Sequence, residues 1–442
     1  MDVYDFLLTP IYIALIYFMA ARTRGKNQND PVYARYYIKG LNYKVIGVLG
    51  YAIIYLYYYG GGDTTSYYYA IKPVGALLFK NPAAFFDFCF SVNEGYPTQC
   101  LYDASQSGVI YLLRGSATLT TIRIGALLSV LSFNTFFPLS LLFCYVGFLF
   151  EWRLFRLLCN VYPELTDRLV VVFFMIPSVL FWGSGIGKDT IMFGSIMFFV
   201  YCYYNLVIYK RQMLKYFILV LITGFIISLI RGFILFTILP CSLLMTVTYY
   251  QNSIRSSALR FLIAPAMLAG AVAASYFMVN ALGNSVESYS IDSLQQKAEG
   301  FRSWHTTQGG STYSIGEGEL DFTAAGIAKQ APVALITCLY GPFIWQVRNP
   351  VMLLSAIESL LLLYYTLKLL FNKRIYAIFK VLMSDHWVVF CLPFILILGI
   401  AIGLASFNFG ALVRYRIPIL PFLGLLLVVV NYHLNKSNQA NA

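Results

Sequence analysis

Tyr216-Phe217-Ile218-Leu219-Val220-Leu221-Ile222-Thr223-Gly224-Phe225-Ile226-Ile227-Ser228-Leu229-Ile230 runs into Arg231-Gly232, and Phe233-Ile234-Leu235-Phe236-Thr237-Ile238-Leu239 opens a second apolar stretch. Two such runs joined by a two-residue turn suit a pair of helices in a bilayer, where every backbone polar group must be satisfied within its own helix. Apolar runs of this kind recur from end to end of the 442 residues, of which 59% are hydrophobic and 11% charged. Soluble domains carry about a quarter charged residues. The spacing predicts helices at about 7–21, 45–59, 134–150, 169–182, 190–208, 216–230, 233–249, 261–279, 350–371, 387–405 and 417–433. The expected fold is an all-α polytopic membrane protein. It has about 11 transmembrane helices in a single transmembrane domain over 1–442, and two large extracytoplasmic loops at about 60–133 and 280–349. The fourth helix is short and carries Pro177, which predicts a kink. Ala331 to Trp345 is apolar too, but Pro332 and Pro342 favour an interfacial or re-entrant element over a twelfth span.

Charge placement gives the expected sidedness. The net charge of +12 could suggest nucleic acid. Most Lys and Arg, however, lie in short loops between apolar runs, where positive charge marks the cytoplasmic side. Met1 to Asp5 is acidic and lacks the basic region of a signal peptide, while Arg22, Arg24 and Lys26 follow the first apolar run. That predicts a retained first helix, the N-terminus outside and the C-terminus cytoplasmic. Of the 31 Lys and Arg, 19 fall inside on this register, among them Lys44 in the first cytoplasmic loop.

The basic residues left outside carry the functional reading. Lys188 occupies a short outside loop, Arg231 the two-residue turn, and Arg414 and Arg416 the turn before the last helix. Short outside loops are where the charge rule is strictest. One arginine there can snorkel to lipid phosphate; four cations on one face point to an anionic ligand such as the phosphate of a lipid carrier.

Three stretches carry chemistry. Tyr58-Tyr59-Gly60-Gly61-Gly62-Asp63-Thr64-Thr65-Ser66-Tyr67-Tyr68 sets a carboxylate just beyond the second helix, on a glycine turn that keeps bulky side chains away. Asp63 there can act as a general base toward an acceptor hydroxyl or hold a divalent cation such as Mg or Mn, and it can equally cap the following helix, with Tyr67 nearby. Gly183-Ser184-Gly185-Ile186-Gly187-Lys188-Asp189-Thr190 departs from a nucleotide phosphate loop, since Trp182 replaces the first glycine and Asp189 the Ser or Thr. It still offers backbone N–H groups and a helix N-terminus to an anion, with Asp189 as a capping residue or second carboxylate. Otherwise it is a tight hairpin turn in which Lys188 and Asp189 neutralise each other. The polar stretch 280–330 holds Arg302, His305, Glu317, Glu319 and Asp321 and reads as a lid over a membrane-facing cleft or as a solvated connector. Glu358, about two turns into the ninth helix, is an intramembrane acid that supports function or pairs with Arg348 or a neighbour. Cys89 and Cys100 share an outside loop and could be bridged. Leu119 to Phe133, with Arg123, reads as an interfacial helix.

The Gly-Asp followed by Tyr-Tyr after an early helix resembles the first extracytoplasmic loop of GT-C superfamily glycosyltransferases. Arg414-Tyr415-Arg416-Ile417-Pro418-Ile419-Leu420-Pro421 resembles the Arg-Tyr-x-x-Pro-x-x-Pro entry to a late helix in many of them. Leu339 to Trp345, followed by a helix bearing Glu358, is similar to bacterial polysaccharide repeat-unit polymerases. The resemblance implies a polyprenyl-(pyro)phosphate-linked sugar donor, a glycan or lipid-linked acceptor, and Asp63 in the role of the family's loop carboxylate. The chain departs from the family in having no second acid beside Asp63 and no large C-terminal soluble domain. The alternative from another class is a transporter or flippase for lipid-linked oligosaccharide or another anion, which would show broken helices near the midplane. A non-catalytic scaffold would leave the outside cations without a role.

Overall fold

The computed structural model describes residues 3–91, 95–251, 300, 313, 323–372 and 375–440. All regular elements among them are helical. In chain order they are α1 Val3–Lys26, α2 Pro31–Ile53 with a π-helical continuation Ile54–Tyr58, α3 Asp63–Lys80, α4 Pro82–Phe90, α5 Leu101–Gln106, α6 Ser116–Leu131, α7 Phe136–Val161, α8 Thr166–Phe174, α9 Pro177–Trp182, α10 Lys188–Val207 and α11 Met213–Tyr250. After the undescribed stretch come α12 Ala324–Tyr340, α13 Pro350–Asn372, α14 Ile375–Ser384, α15 His386–Ala405, α16 Phe409–Tyr415 and α17 Leu420–Ala440. The helix expected at 261–279 lies outside the described residues, as do Arg302, His305 and the acids of the 280–330 stretch.

Among the described residues, five helices, α1, α10, α11, α13 and α15, are long and apolar enough to cross a membrane, and up to eight spans result if three bent helix pairs each count as one. The chain is thus a multi-pass membrane protein. It divides into two compact units, one of Met1–Met175, Val179–Cys202 and Leu214–Gly232, the other of Ile176–Ser178, Tyr203–Met213 and Phe233–Ala442.

The first unit is built on α2 packed against α7. Tyr37 of α2 meets Phe148 and Trp152 of α7, and Gly40 leaves room for Phe148 and Phe174. Both ends of the α7 packing are pinned by carboxylates. Asp5 of α1 accepts from the first N–H groups of α7, Phe136 and Phe137, and so satisfies donors that a helix start leaves open. At the opposite end Asp30 caps α2 and takes both Nε and Nη2 of Arg156, at 2.6 and 2.5 Å. The sequence offers Asp5 only as an acidic terminus; its partners lie 131 and 132 residues away.

The stretch 60–133, expected as a large loop with an interfacial helix, is a folded helical cap. α3 turns 97° from the axis of Pro31–Tyr58, and α6 stands 112° from α7. α3 packs along α6, with α4 and α5 against them, around a core of Tyr67, Ile71, Phe85, Phe88 and Ile122. Thr118, Thr121, Arg123 and Ser129 of α6 are buried in this packing, so the interfacial helix expected at 119–133 is a core member of the cap. Arg123 donates Nε to the Phe88 carbonyl. Cys89 and Cys100 are free thiols here, and the bridge weighed from their spacing is not formed.

α2 begins fourteen residues before the predicted span. Lys44, expected in a cytoplasmic loop, is therefore an interior position of a helix and is fully buried. α8 and α9 are separated at Met175 and Ile176, so the kink expected at Pro177 is a break, with Pro177 opening the second helix. α11 is interrupted at Arg231, whose φ of −148° and ψ of 78° leave the helical region at the turn the sequence marks.

In the second unit, α12 packs tightly on α15. A Cβ on Gly403 would stand 2.2 Å from the Ala334 carbonyl oxygen, and one on Gly399 2.7 Å from Leu335. Small residues four apart let two helix backbones approach, the recurrent mode of packing in membranes. The 331–345 segment, expected as interfacial or re-entrant, is thus largely regular helix. Pro332 is absorbed within α12, whose last turn ends at Tyr340 before the cis Gly341–Pro342 bond. Asp385 caps α15 and meets His433 of α17 at 3.0 Å, while His386 bonds the Tyr204 hydroxyl.

Candidate functional site

Asp63 is the first residue of α3, at the corner where the α2 axis gives way to the cross-lying cap. The turn before it uses three glycines with φ of 68°, 136° and 139°. Gly62 has a second reason to be glycine: its Cβ would stand 2.6 Å from the Tyr55 ring. Thr65 closes the turn, accepting from the Gly62 N–H and donating to the Gly62 carbonyl. Asp63 is half-buried and sits in the first turn of α3. Tyr67, one turn on, is buried in the cap core.

The glycine stretch lies close by, on the other side of Tyr55. That ring stacks on Phe181 and meets Trp182 edge-on. Ile186 completes the same core as Tyr67, Tyr68 and Ala52. A single stripe of α2, Lys44, Gly47 and Tyr51, forms the bed for α9 and the loop that follows. A Cβ on Gly47 would stand 2.5 Å from the Leu180 carbonyl, and one on Gly185 2.0 Å from the Tyr51 ring. Residues 183–187 are all buried. They run beside Lys44 to Tyr51, which at 1.5 Å per residue is about 10–20 Å below the Tyr58 end of α2. α9 stops early, and glycines without side chains let the chain settle against the α2 stripe.

α10 starts at this depth. Thr190 turns its hydroxyl back to the Gly185 carbonyl at 2.6 Å, and Asp189 receives Nη2 of Arg231 at 2.7 Å. That pair is largely buried, its side chains 5% and 14% exposed. The break at Arg231 is what frees the arginine to reach α10. The structure therefore brings together Lys188, Asp189 and Arg231, with one net positive charge, in the unit that carries Asp63.

Arg414 and Arg416 belong to the second unit. Arg414 is half-buried. Arg416 is fully buried and committed to protein groups: Nη1 donates to the carbonyls of Cys338, Leu339 and Gly341, and Nη2 to Ser359 at 2.9 Å and Glu358 at 3.3 Å. It acts as a charged cap on the C-terminal carbonyls of α12. Glu358 is thus paired with Arg416, not with Arg348 as the sequence allows, and its second oxygen accepts from the Ser178 N–H at 2.7 Å. A phosphate at Arg416 would have to displace these partners.

One pair escaped the sequence reading. Lys44 Nζ and Glu151 Oε2 are 2.8 Å apart, both side chains wholly buried between α2 and α7. An acid inside the apolar run of α7 is the only signal the sequence offers. Among the described residues no group of three or more His, Cys, Asp or Glu is set to hold a metal ion. Asp63 could still supply one carboxylate to a magnesium-like ion whose other ligands are phosphate and water. Comparison with protein-family models, curated proteins and solved structures gives no match in any of the three.

Proposed function

We propose that the protein is a membrane glycosyltransferase of GT-C type that takes a sugar or oligosaccharide from a polyprenyl-(pyro)phosphate carrier at the extracytoplasmic face, as a polysaccharide polymerase or a single-step transferase. The finer topology of about eleven spans, with the N-terminus outside and the C-terminus in the cytoplasm of a bacterial inner membrane, is part of the same proposal. The carrying observation is Asp63, held by a glycine turn at the corner between span and cap and joined through Tyr55 and Ile186 to the cationic loop at Lys188.

In this reading the Asp63 carboxylate takes the proton of an acceptor hydroxyl as its oxygen attacks the anomeric carbon. The bond from that carbon to the carrier phosphate breaks, and the phosphate leaves with the electron pair. Lys188 and Arg231 stabilise the leaving charge; Arg414, in the second unit, remains a carrier-binding candidate, whereas Arg416 is taken up by Glu358, Ser359 and the α12 carbonyls. A divalent cation on Asp63 would pair with phosphate. Replacing Asp63 with Asn should abolish polymer or branch formation in a glycan profile of the host while leaving the protein in the membrane; an unchanged profile would sink the assignment.

A transporter or flippase is the second reading, favoured by the α8–α9 break and by the glycine loop lying as deep as the buried Lys44–Glu151 pair. Reconstituted vesicles separate the two. Movement of a fluorescent polyprenyl-phosphate sugar between leaflets, without glycosidic bond formation, would favour transport.

A further inference from the structure

We infer that Lys44 and Glu151 are positioning residues that hold the 183–187 loop, and with it Lys188 and Asp189, through the Gly183 carbonyl. Lys44 Nζ faces three groups: Glu151 Oε2 at 2.8 Å, the Gly183 oxygen at 3.4 Å, and the Phe193 ring, centred 5.0 Å away on α10. The ammonium thus touches both sides of the loop, the carbonyl that ends α9 and the second turn of α10. The place of the lysine is fixed in turn. Its own carbonyl accepts from Cys144 of α7, and Gly47, one turn on, presses against Leu180 of α9.

The energetics favour positioning over stability. Taking two charges out of water is costly, and well-packed apolar pairs of like volume generally hold a fold as well or better. A lysine–glutamate pair between two helices already locked by Tyr37, Phe148 and Trp152 is therefore not needed to join them. What an apolar pair could not do is donate to Gly183. That carbonyl ends a six-residue helix, and glycine is required there because a Cβ would stand 2.6 Å from the Val179 oxygen. With Lys44 on Gly183 and Thr190 on Gly185, the loop is tied at both ends. Glu151 makes the lysine tolerable in this position by neutralising it.

The inference does not depend on whether the protein transfers sugars or moves them, because its test reads backbone opening and not activity. Two variants are compared with the wild type, Lys44→Met/Glu151→Met and the swap Lys44→Glu/Glu151→Lys. The swap keeps the pair but starts the ammonium from α7, away from Gly183. Each is purified in nanodiscs, its thermal unfolding measured, and its amide hydrogen exchange followed by mass spectrometry. Expected is near-wild-type unfolding, with exchange at 184–189 faster by about tenfold or more and exchange in α2 and α7 unchanged. Wild-type exchange at 184–189 in either folded variant would overturn the inference. Failure of both variants to accumulate in membranes would assign the pair to folding and overturn it equally.

Discussion

Replacing Arg416 by methionine removes the positive partner of Glu358 from a buried site. The side chain makes five hydrogen bonds, three to the carbonyls that end α12 and two to Ser359 and Glu358. Ser359 also donates to the Gly341 oxygen, and Glu358 keeps the Ser178 N–H, so part of the network survives. Stranding one member of a buried pair costs about 3–5 kcal/mol. The lower figure is already on the order of a hundredfold in an unfolding equilibrium. Lysine at 416 keeps the charge but has three donors where the arginine fork serves five acceptors, so its loss should be intermediate. Adding Glu358→Met to Arg416→Met should recover much of the loss by removing the stranded carboxylate. Thermal and denaturant unfolding of the purified protein would measure all three. Refutation is specific: an Arg416→Met variant within about 0.5 kcal/mol of the wild type, the ordinary scale of surface substitutions, would mean that the arginine is not committed to protein groups. Lost function in that stable variant would return Arg416 to the carrier phosphate.

Gly403→Leu should part α12 from α15, since even a Cβ meets the Ala334 backbone; a cost of about 1–3 kcal/mol or more is expected, read as a lower unfolding temperature. Asp5→Ala should cost about 1 kcal/mol by uncapping α7, and Asp5→Asn, which keeps an acceptor, less; equal losses would refute the capping role. Burial pushes the Cys89 thiol up to about 11, against the pull of Arg123, and burial with Asp103 nearby raises Cys100 to about 11. Alkylation of both should therefore be slow at pH 8 and keep rising past pH 10, and a plateau near pH 9 would contradict it. The folded cap holds these protons more tightly than the unfolded chain, so their contribution to stability is complete below pH 9 and is lost as pH climbs toward 11.

Long apolar runs were legible because hydropathy is local. The run 190–208 is α10, 350–371 is α13 and 387–405 is α15, and where the sequence places a turn between two helices, α11 is kinked at Arg231. What stayed hidden depended on partners far along the chain. Lys44 reads as a loop residue until Glu151, 107 positions later, neutralises it, and α2 was accordingly begun too late. The cap was missed because α3 opens on the polar Asp63-Thr64-Thr65-Ser66 and carries Lys72, Pro73 and Lys80, too mixed for a span. Its apolar face is covered by α4 and α6. At the candidate site, the glycine turn and Asp63 were readable from residue types alone. The depth of the 183–187 loop was not, since nothing in Gly-Ser-Gly-Ile-Gly announces the α2 stripe that receives it. The same holds for Arg416, an outside cation by position and a helix cap by contact.

Ile186 has a consequence for how the protein is made. It closes a core whose other members, from Ala52 to Phe143, are all synthesised before α8 begins. During synthesis the cap core therefore lacks one wall until the ribosome has added the segment past Trp182. A chain stalled ahead of that point should expose the cap to proteases and chaperones, and one stalled after α10 should not. Completion of the cap core is thus delayed until Ile186, with Ile191 packed against it, has been made.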